Sequence, residues 1–284
     1  MITHADSGNV KDNAFDAGWG IQMENWSGID ETVKRWIGEA GENIRASFTH
    51  SLSIQSKSNP NDLVTNVDEE TERFFIERIR TSFPSHRILG EEGQGDDVQS
   101  LDGVIWIIDP IDGTMNFVHQ QRNFAISIGI YEDGIGQLGY IYDIVHDELY
   151  HAKKGQGAWM NDVKLDPLDP VPVEQAIVGI NSTWLIQNRH FDQEKLIQLA
   201  NDVRGTRSYG SAALELAYVA SGRLSAYITM RNAPWDFAGG KMIVEEAGGV
   251  VSKITGDDID MLSVNPVFAA APGLHEDILN NYLK

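Results

Sequence analysis

The chain has 284 residues, with 42 Asp and Glu against 22 Lys and Arg, and its formal net charge is −20. A surface this acidic repels nucleic acids and anionic membranes, and taken alone it also disfavours anionic small substrates. The absence of cysteine excludes disulfides and thiolate metal sites, and it favours a cytoplasmic protein. We therefore expect neither a nucleic acid nor a membrane as a partner.

The length suits one large domain or two smaller ones, and no apolar run approaches the roughly 18 residues of a membrane helix. Residues 1–22 contain no apolar run, so they predict a loosely ordered extension rather than a signal peptide. Residues 23–284 are expected to form a single domain. Its N-terminal half would span about residues 23–160 and its C-terminal half about residues 161–284.

The first predicted elements are helices. Apolar residues recur at spacings of three and four from Ile29 to Phe48, which predicts an amphipathic helix. Residues 51–65 are mostly polar and predict a loop or a hairpin. A second helix is predicted to begin near Asp68 and to end before Pro84.

Short apolar or alternating runs separated by turn residues follow, and they predict strands. The predicted strands are residues 87–90, 104–108, 124–131, 137–143, 148–153, 176–181, 224–229, 250–254 and 267–271. Further helices are predicted over residues 193–203, 211–221, 235–247 and 275–283. Helices, then strands, then mixed segments indicate layered helices and sheets, an α+β or α/β arrangement, rather than strict alternation.

The most informative segment begins where an apolar strand ends in Asp109. Pro110 fixes a turn, and Asp112 follows it. Two converging carboxylates repel each other unless cations lie between them, and hard oxygen ligands suit Mg²⁺, Mn²⁺ or Ca²⁺ rather than Zn²⁺. The backbone N–H groups of Gly113 and Thr114 offer a cradle for a phosphate. An ordinary Asp-rich turn is the alternative, but the flanking strand, proline and threonine favour a functional site.

Three other acidic positions are candidates to join this segment. Glu91 and Glu92 follow the strand predicted over residues 87–90, Asp236 lies in the first turn of a helix, and Asp68 lies at a helix start. Each has an ordinary structural interpretation when taken alone. These are a solvated turn, a carboxylate favoured by the helix dipole, and a helix N-cap.

Residues 134–139 match the G-x-G-x-x-G spacing of dinucleotide-binding loops. The run leads into a predicted strand rather than a helix, so it predicts a hairpin turn instead of a cofactor site.

Two motifs resemble the signatures of the inositol monophosphatase family. One is Asp-Pro-Ile-Asp-Gly-Thr at residues 109–114, and the other is Trp-Asp-x-Ala-x-Gly at residues 235–240. Gly-Glu-Glu at residues 90–92 precedes them, and the order and spacing of all four acidic positions agree with the family. The similarity extends from about Ile29 to the C-terminus.

The resemblance implies a layered αβαβα sandwich in two closely joined halves, a fold shared with fructose-1,6-bisphosphatase, and usually a homodimer. It implies hydrolysis of a small phosphate monoester, with inositol 1-phosphate as the expected substrate, by a water that two or three Mg²⁺ ions activate. It also implies sensitivity to lithium. Hydrolysis of a phosphate monoester is one of the slowest reactions without a catalyst. Two divalent ions can accelerate it by binding both the attacking and the leaving oxygen.

The resemblance also assigns metal ligands by position. The first metal ion would be held by Glu91, Asp109 and the backbone carbonyl of Ile111, and the second by Asp109, Asp112 and Asp236. Residues 57–62 resemble the family's mobile loop near a third, weaker metal ion.

Catalytic and substrate-binding residues follow in the same way. Asp68 and Thr114 would position and activate the attacking water. The implied substrate contacts are Asp112, Gly113, Thr114, Gly210, Ser211, Ala212 and Asp236.

One position departs from the family pattern. Relatives that act on inositol phosphate often have a ring-contacting Glu where this chain has Thr229, and Arg231 adds a positive charge nearby. A fructose-1,6-bisphosphatase or a nucleotide 3′-phosphatase is therefore an alternative, although Thr229 also fits as an ordinary strand residue. A non-catalytic acidic cation-binding protein on the same fold is a further alternative.

Overall fold

The computed structural model describes residues 24–57, 63–186 and 193–284. The predicted extension at residues 1–22 and residues 58–62 of the predicted mobile loop lie outside the described residues. The helices are α1 (Trp26–Ser47), α2 (Asn66–Ser82), α3 (Thr114–Gln120), α4 (Gln193–Asp202), α5 (Ala212–Ala220), α6 (Pro234–Glu246) and α7 (Pro272–Ile278). Within these ranges no helix is long and apolar enough to cross a membrane.

The strands fall into a hairpin and two larger sheets. They are β1 (Ile54–Ser56), β2 (Leu63–Thr65), β3 (Arg87–Gly90), β4 (Val104–Asp112), β5 (Ala125–Glu132), β6 (Ile135–Asp143), β7 (Glu148–Lys153), β8 (Gly157–Met160), β9 (Val163–Lys164), β10 (Ile177–Ile180), β11 (Gly205–Arg207), β12 (Ala226–Asn232), β13 (Val250–Ser252) and β14 (Asn265–Ala270). The antiparallel β1–β2 hairpin agrees with the prediction for residues 51–65.

The elements stack in alternating layers of helix and sheet. A seven-stranded sheet runs in the order β3-β4-β5-β6-β7-β8-β9, with α1 and α2 on one face and α5 and α6 on the other. A five-stranded sheet in the order β11-β10-β12-β14-β13 packs on the far side of α5 and α6, and α4 and α7 cover its outer face. The predicted layered α+β arrangement is confirmed.

Strand β4 is buried over its whole length because helices cover both faces of its sheet. Successive side chains point to opposite faces of a strand. Ile105 and Ile107 therefore join the core under α5 and α6, while Trp106 and Ile108 join the core under α1 and α2. This two-sided burial explains why the strand has a continuous apolar run rather than an alternating one.

The prediction that this strand ends at residue 108 and turns at Pro110 is wrong. β4 continues to Asp112, and its pairing with β5 shifts register between Asp109 and Asp112. Proline has no N–H for the ladder, so within a sheet it is confined to edges and irregularities of this kind. The irregularity places both carboxylates near one end of a buried strand.

Several short elements were not predicted. Helix α3 begins at Thr114, inside the segment that the sequence indicates as a site, and β8, β9 and β11 have two to four residues each. Runs this short show no clear periodicity. The hairpin predicted for residues 134–139 is present: the chain turns at residues 133–134 between β5 and β6, and residues 135–139 belong to β6 rather than to a helix start.

Helix α6 packs directly against β5 and β6 because glycines remove the side chains between them. A Cβ on Gly139 would lie 2.6 Å from the carbonyl oxygen of Gly239, and a Cβ on Gly129 would lie 2.8 Å from the backbone of Ala238. This close approach fixes the start of α6, where Asp236 lies, relative to the end of the seven-stranded sheet.

We predict that Gly139→Ala lowers the free energy of unfolding by about 1–3 kcal/mol, because the added methyl meets a backbone oxygen that cannot move aside. Gly38→Ala, in the interior of α1 with no atom near the new Cβ, is the control and should raise it by about 0.5–1 kcal/mol. Denaturant titration measures both. An unchanged Gly139→Ala midpoint would contradict the close packing.

Candidate active site

Three carboxylates from two separate elements meet at the end of β4. Asp109 and Asp112 come from the irregular end of that strand, and Asp236 comes from the first turn of α6. One oxygen of each lies within 4.8 Å of the others, and Asp109 is only 1% exposed. The sequence motifs on either side of residue 200 therefore converge on one point.

Backbone N–H groups anchor two of these carboxylates by one oxygen each. The N–H of Ile111 donates to Oδ1 of Asp109 at 2.9 Å, and the N–H of Ala233 donates to Oδ2 of Asp236 at 2.8 Å. One-sided anchoring fixes the orientation of a side chain while its other oxygen remains a candidate ligand.

The start of α5 anchors the third carboxylate. The N–H of Ala213 donates to Oδ2 of Asp112 at 2.9 Å, and the hydroxyl of Ser211 donates to the same oxygen. Ser211 is also the N-cap of α5, where it accepts the N–H of Leu214. The segment implied to contact substrate is thus bonded directly to a residue implied to bind metal.

Burial and mutual repulsion disfavour ionisation of this cluster. Burial raises the pKa of Asp112 to about 6 and that of Asp109 well above its usual range, and nearby carboxylates raise the latter further. Burial, followed by the charge of Asp112, does the same to the pKa of Asp236. A cluster of three carboxylates, without His or Cys, fits a hard divalent cation such as Mg²⁺.

Asp68 and Thr114 form a hydrogen-bonded pair beside the cluster. The hydroxyl of Thr114 lies 3.0 Å from Oδ1 of Asp68 and 3.1 Å from the carbonyl oxygen of Ile111, so it has one proton for two acceptors. Burial raises the pKa of Asp68 to about 6, although hydrogen bonds from Thr65 and Thr114 oppose the shift. The N-cap of α2 is Thr65 rather than Asp68, which is the third residue of a capping box.

Glu91 lies at the rim of the cluster. It follows β3, and its charge is among the causes that raise the pKa of Asp109 and of Asp112. Its Oε1 is 2.9 Å from Nζ of Lys57, which also lies 2.8 Å from Oε1 of Glu92. Lys57, which belongs to the described part of the predicted mobile loop, therefore forms ion pairs with both Glu91 and Glu92.

A cavity of about 280 Å³ opens next to Asp112 and Asp236. Its lining includes Gly210, Ser211, Ala212, Thr229, Arg231 and Asn232. Gly113 has φ +92°, and a Cβ there would lie 3.2 Å from the carbonyl oxygen of Gly210. Of the implied substrate contacts, Asp112, Gly210, Ser211, Ala212 and Asp236 line this cavity and Gly113 lies next to Gly210, whereas Thr114 is not among the lining residues.

Glu215, which none of the sequence motifs includes, also lines the cavity. Its Oε1 accepts the N–H groups of Tyr209 at 2.7 Å and Gly210 at 3.3 Å, and its buried Oε2 has no hydrogen-bond partner among the described residues. Burial raises its pKa to about 7. In the sequence, the one sign that Glu215 has a special position is that it interrupts the otherwise apolar run of α5.

The chain is similar to known proteins over most of its length. The Inositol monophosphatase family matches residues 25–283. Inositol-1-monophosphatase of Bacillus subtilis (strain 168) is 61% identical over 261 residues, which cover 92% of this chain and 98% of the relative. A structure of SaIMPase-II with inositol monophosphate bound matches with a TM-score of 0.81 and 42% identity, covering 90% of this chain and 93% of that one.

A more distant structure is also similar. It is an IMPase/NADP phosphatase in complex with Mg²⁺ and phosphate, and it matches with a TM-score of 0.83 and 28% identity. The match covers 90% of this chain and 95% of that one.

We predict that Asp109→Asn stabilises the metal-free protein at pH 8. The raised pKa of Asp109 means that the folded chain disfavours its ionised form, so the protonated carboxyl favours folding below about pH 4 and this contribution is lost as pH rises. Removing the charge should raise the free energy of unfolding at pH 8 by about 1 kcal/mol or more and have little effect near pH 3.

Denaturant titration in EDTA at both pH values measures this effect. The control is Asp143→Asn, another fully buried carboxylate, which lies two strands across the sheet from Asp112 and accepts the N–H groups of Val145 and His146. That change should destabilise the chain. A loss of stability for Asp109→Asn at pH 8 would show that repulsion does not dominate at the site.

Proposed function

Because the chain belongs to the inositol monophosphatase family, we propose that it hydrolyses small phosphate monoesters with Mg²⁺, and that inositol 1-phosphate is its principal substrate. The observation that carries this proposal is the meeting of Asp109, Asp112 and Asp236 beside the Asp68–Thr114 pair. The name of the Bacillus relative and the inositol monophosphate bound to SaIMPase-II support the substrate.

The cluster offers carboxylate oxygens that could bind metal ions. In the proposal, Mg²⁺ is held by Glu91, Asp109, the carbonyl of Ile111, Asp112 and Asp236. When bound, such ions neutralise the charge of the phosphate and lower the pKa of water. The Mg²⁺ and phosphate in the similar IMPase/NADP phosphatase structure support the choice of ion.

The Asp68–Thr114 pair has a separate part in the proposed reaction. The hydroxyl of Thr114 donates a hydrogen bond to Asp68, so the threonine oxygen presents a lone pair to the attacking water. As that water loses a proton to the threonine oxygen, Thr114 passes its own hydroxyl proton to Asp68, whose pKa of about 6 suits it to hold a proton. The backbone N–H groups of Gly113 and Thr114 hold the phosphate.

Residues 23–284 are proposed to act as one domain. The two large sheets share the α5–α6 layer, and side chains of β4, α5 and β14 belong to one apolar core, which supports this. We also propose a homodimer, the assembly that the family resemblance implies, which light scattering at known concentration tests.

We predict that phosphate release from inositol 1-phosphate requires Mg²⁺ and stops in excess EDTA. Thr114→Val, which keeps the side-chain volume but removes the hydroxyl, should lower kcat by about 100-fold or more. Thr114→Ser retains the hydroxyl and is the matched control, so it should keep most of the rate. Measurable turnover in EDTA would exclude the proposed chemistry.

A more anionic substrate is the second candidate, and one observation favours it. Arg231 lines the cavity, is exposed, and has no ion-pair partner among the described residues. Thr229, also in the lining, offers no carboxylate for a sugar-alcohol ring. A substrate with a second phosphate, such as a sugar bisphosphate or a nucleotide, would place an anion near the guanidinium.

This candidate predicts that Arg231→Met lowers kcat/KM for NADP or fructose 1,6-bisphosphate by about tenfold or more, and leaves inositol 1-phosphate nearly unaffected. Arg35→Met, on the exposed face of α1, changes the net charge equally and should affect none of them. If the wild type binds Mg²⁺ by calorimetry but hydrolyses no ester in this panel, a non-catalytic cation-binding role replaces both candidates.

A further inference from the structure

Glu72 is a buried carboxylate that none of the residue assignments above includes. It lies on α2 one helical turn after Asp68, and it is 0% exposed. No salt bridge to it occurs among the described residues. Burying an unpaired carboxylate is costly, so its hydrogen bonds must compensate.

Both oxygens of Glu72 bind the turn that follows β3. The N–H of Glu92 donates to Oε2 at 2.7 Å, and the N–H of Gln94 donates to Oε1 at 2.9 Å. The amide side chain of Gln94 also donates to the carbonyl of Glu69 on the same helix, at 3.0 Å. The turn is thereby held against α2 at three points, immediately after Glu91.

The backbone on the other side of Glu91 is equally constrained. The N–H of Glu91 donates to the carbonyl of Ile108 on β4 at 3.2 Å. Gly90 leaves the space that the carboxylate fills, since a Cβ there would lie 2.6 Å from the carboxyl carbon of Glu72. The backbone around Glu91 is therefore hydrogen-bonded on one side to β4, which contains Asp109, and on the other side to α2, which contains Asp68.

Only a carboxylate satisfies this arrangement. Two backbone N–H groups need two acceptors, and a glutamine in the same place has one acceptor oxygen and an NH₂ group that would face a donor. Burial raises the pKa of Glu72, while the N–H groups of Glu92 and Gln94 oppose that shift. The two N–H donors therefore require a Glu at residue 72, even though a buried carboxylate is costly.

We propose that Glu72 is a positioning residue for the metal site: it holds the turn at residues 92–94 so that the carboxylate of Glu91 is directed to the Asp109 cluster. The inference rests on the proposed function in taking Glu91 as a metal ligand. Because Asp68 and Glu72 lie on one face of α2, the same helix sets the position of both the water-activating carboxyl and Glu91.

The test is Glu72→Gln, with the affinity for Mg²⁺ alone measured by calorimetry. We expect the affinity to fall by about 10–100-fold, as for other residues that orient metal ligands. The Mg²⁺ concentration for half-maximal phosphate release should rise by the same factor, whereas the KM for inositol 1-phosphate at saturating Mg²⁺ should not change.

The matched control is Glu246→Gln at the end of α6. Glu246 also accepts two backbone N–H groups, from Gly155 at 2.7 Å and Gly157 at 2.8 Å, but far from the cluster. Because Glu246 is half-buried, Glu246→Gln should lose some stability, and it should keep the wild-type Mg²⁺ affinity. In Gly90→Ala the added methyl would displace the carboxylate of Glu72, so this variant should also weaken Mg²⁺ binding. It serves as the second test of the role of Glu72 if Glu72→Gln does not fold.

Wild-type Mg²⁺ affinity in folded Glu72→Gln or Gly90→Ala would overturn the inference, and so would an equal loss of affinity in Glu246→Gln. Failure of the proposed function gives a different result, namely no Mg²⁺-dependent phosphate release by the wild type. The calorimetric comparison of the variants still decides the role of Glu72 in that case.

Discussion

Repulsion among three carboxylates, two of them buried and one half-buried, is the constraint on which the arrangement of the site depends. Asp109, Asp112 and Asp236 bring oxygens within 4.8 Å of one another in a setting that disfavours their ionisation. Such a cluster persists only if the surrounding backbone holds each side chain against the repulsion. The close packing of α6 on β5 and β6, which glycines make possible, serves this need by fixing Asp236 relative to β4.

Helix N-termini offset part of the repulsion among these carboxylates. Asp68 lies in the first turn of α2 and Asp236 in that of α6, while Asp112 accepts an N–H from the first turn of α5. N–H groups at a helix start have no partner within the helix, and the helix dipole is positive there, so both favour an anion. The starts of α5 and α6 therefore direct partial positive charge at the carboxylate cluster, and the start of α2 directs it at Asp68.

The sequence predicted the residues whose chemistry is local and missed those whose role depends on the fold. Two Asp residues around a proline, after an apolar strand, were recognisable as a site, and the layered arrangement followed from the order of periodic segments. Glu72 and Glu215 were not recognised, because each looks like an ordinary helical Glu until the fold shows that it accepts N–H groups from a loop, residues 92–94 for Glu72 and residues 209–210 for Glu215. Similarly, only the pairing with β5 shows that β4 continues past Pro110.

A net charge of −20 is compatible with an anionic substrate because charge acts locally. At physiological ionic strength the Debye length is about 8 Å, so most surface carboxylates have little influence inside the cavity. The charges that matter there are the buried cluster, Lys57 beside Glu91, and Arg231 in the lining. Cations bound by the cluster would reverse its sign, so the acidic residues that repel a phosphate in the bare chain are those that attract it in the proposed metal-bound form.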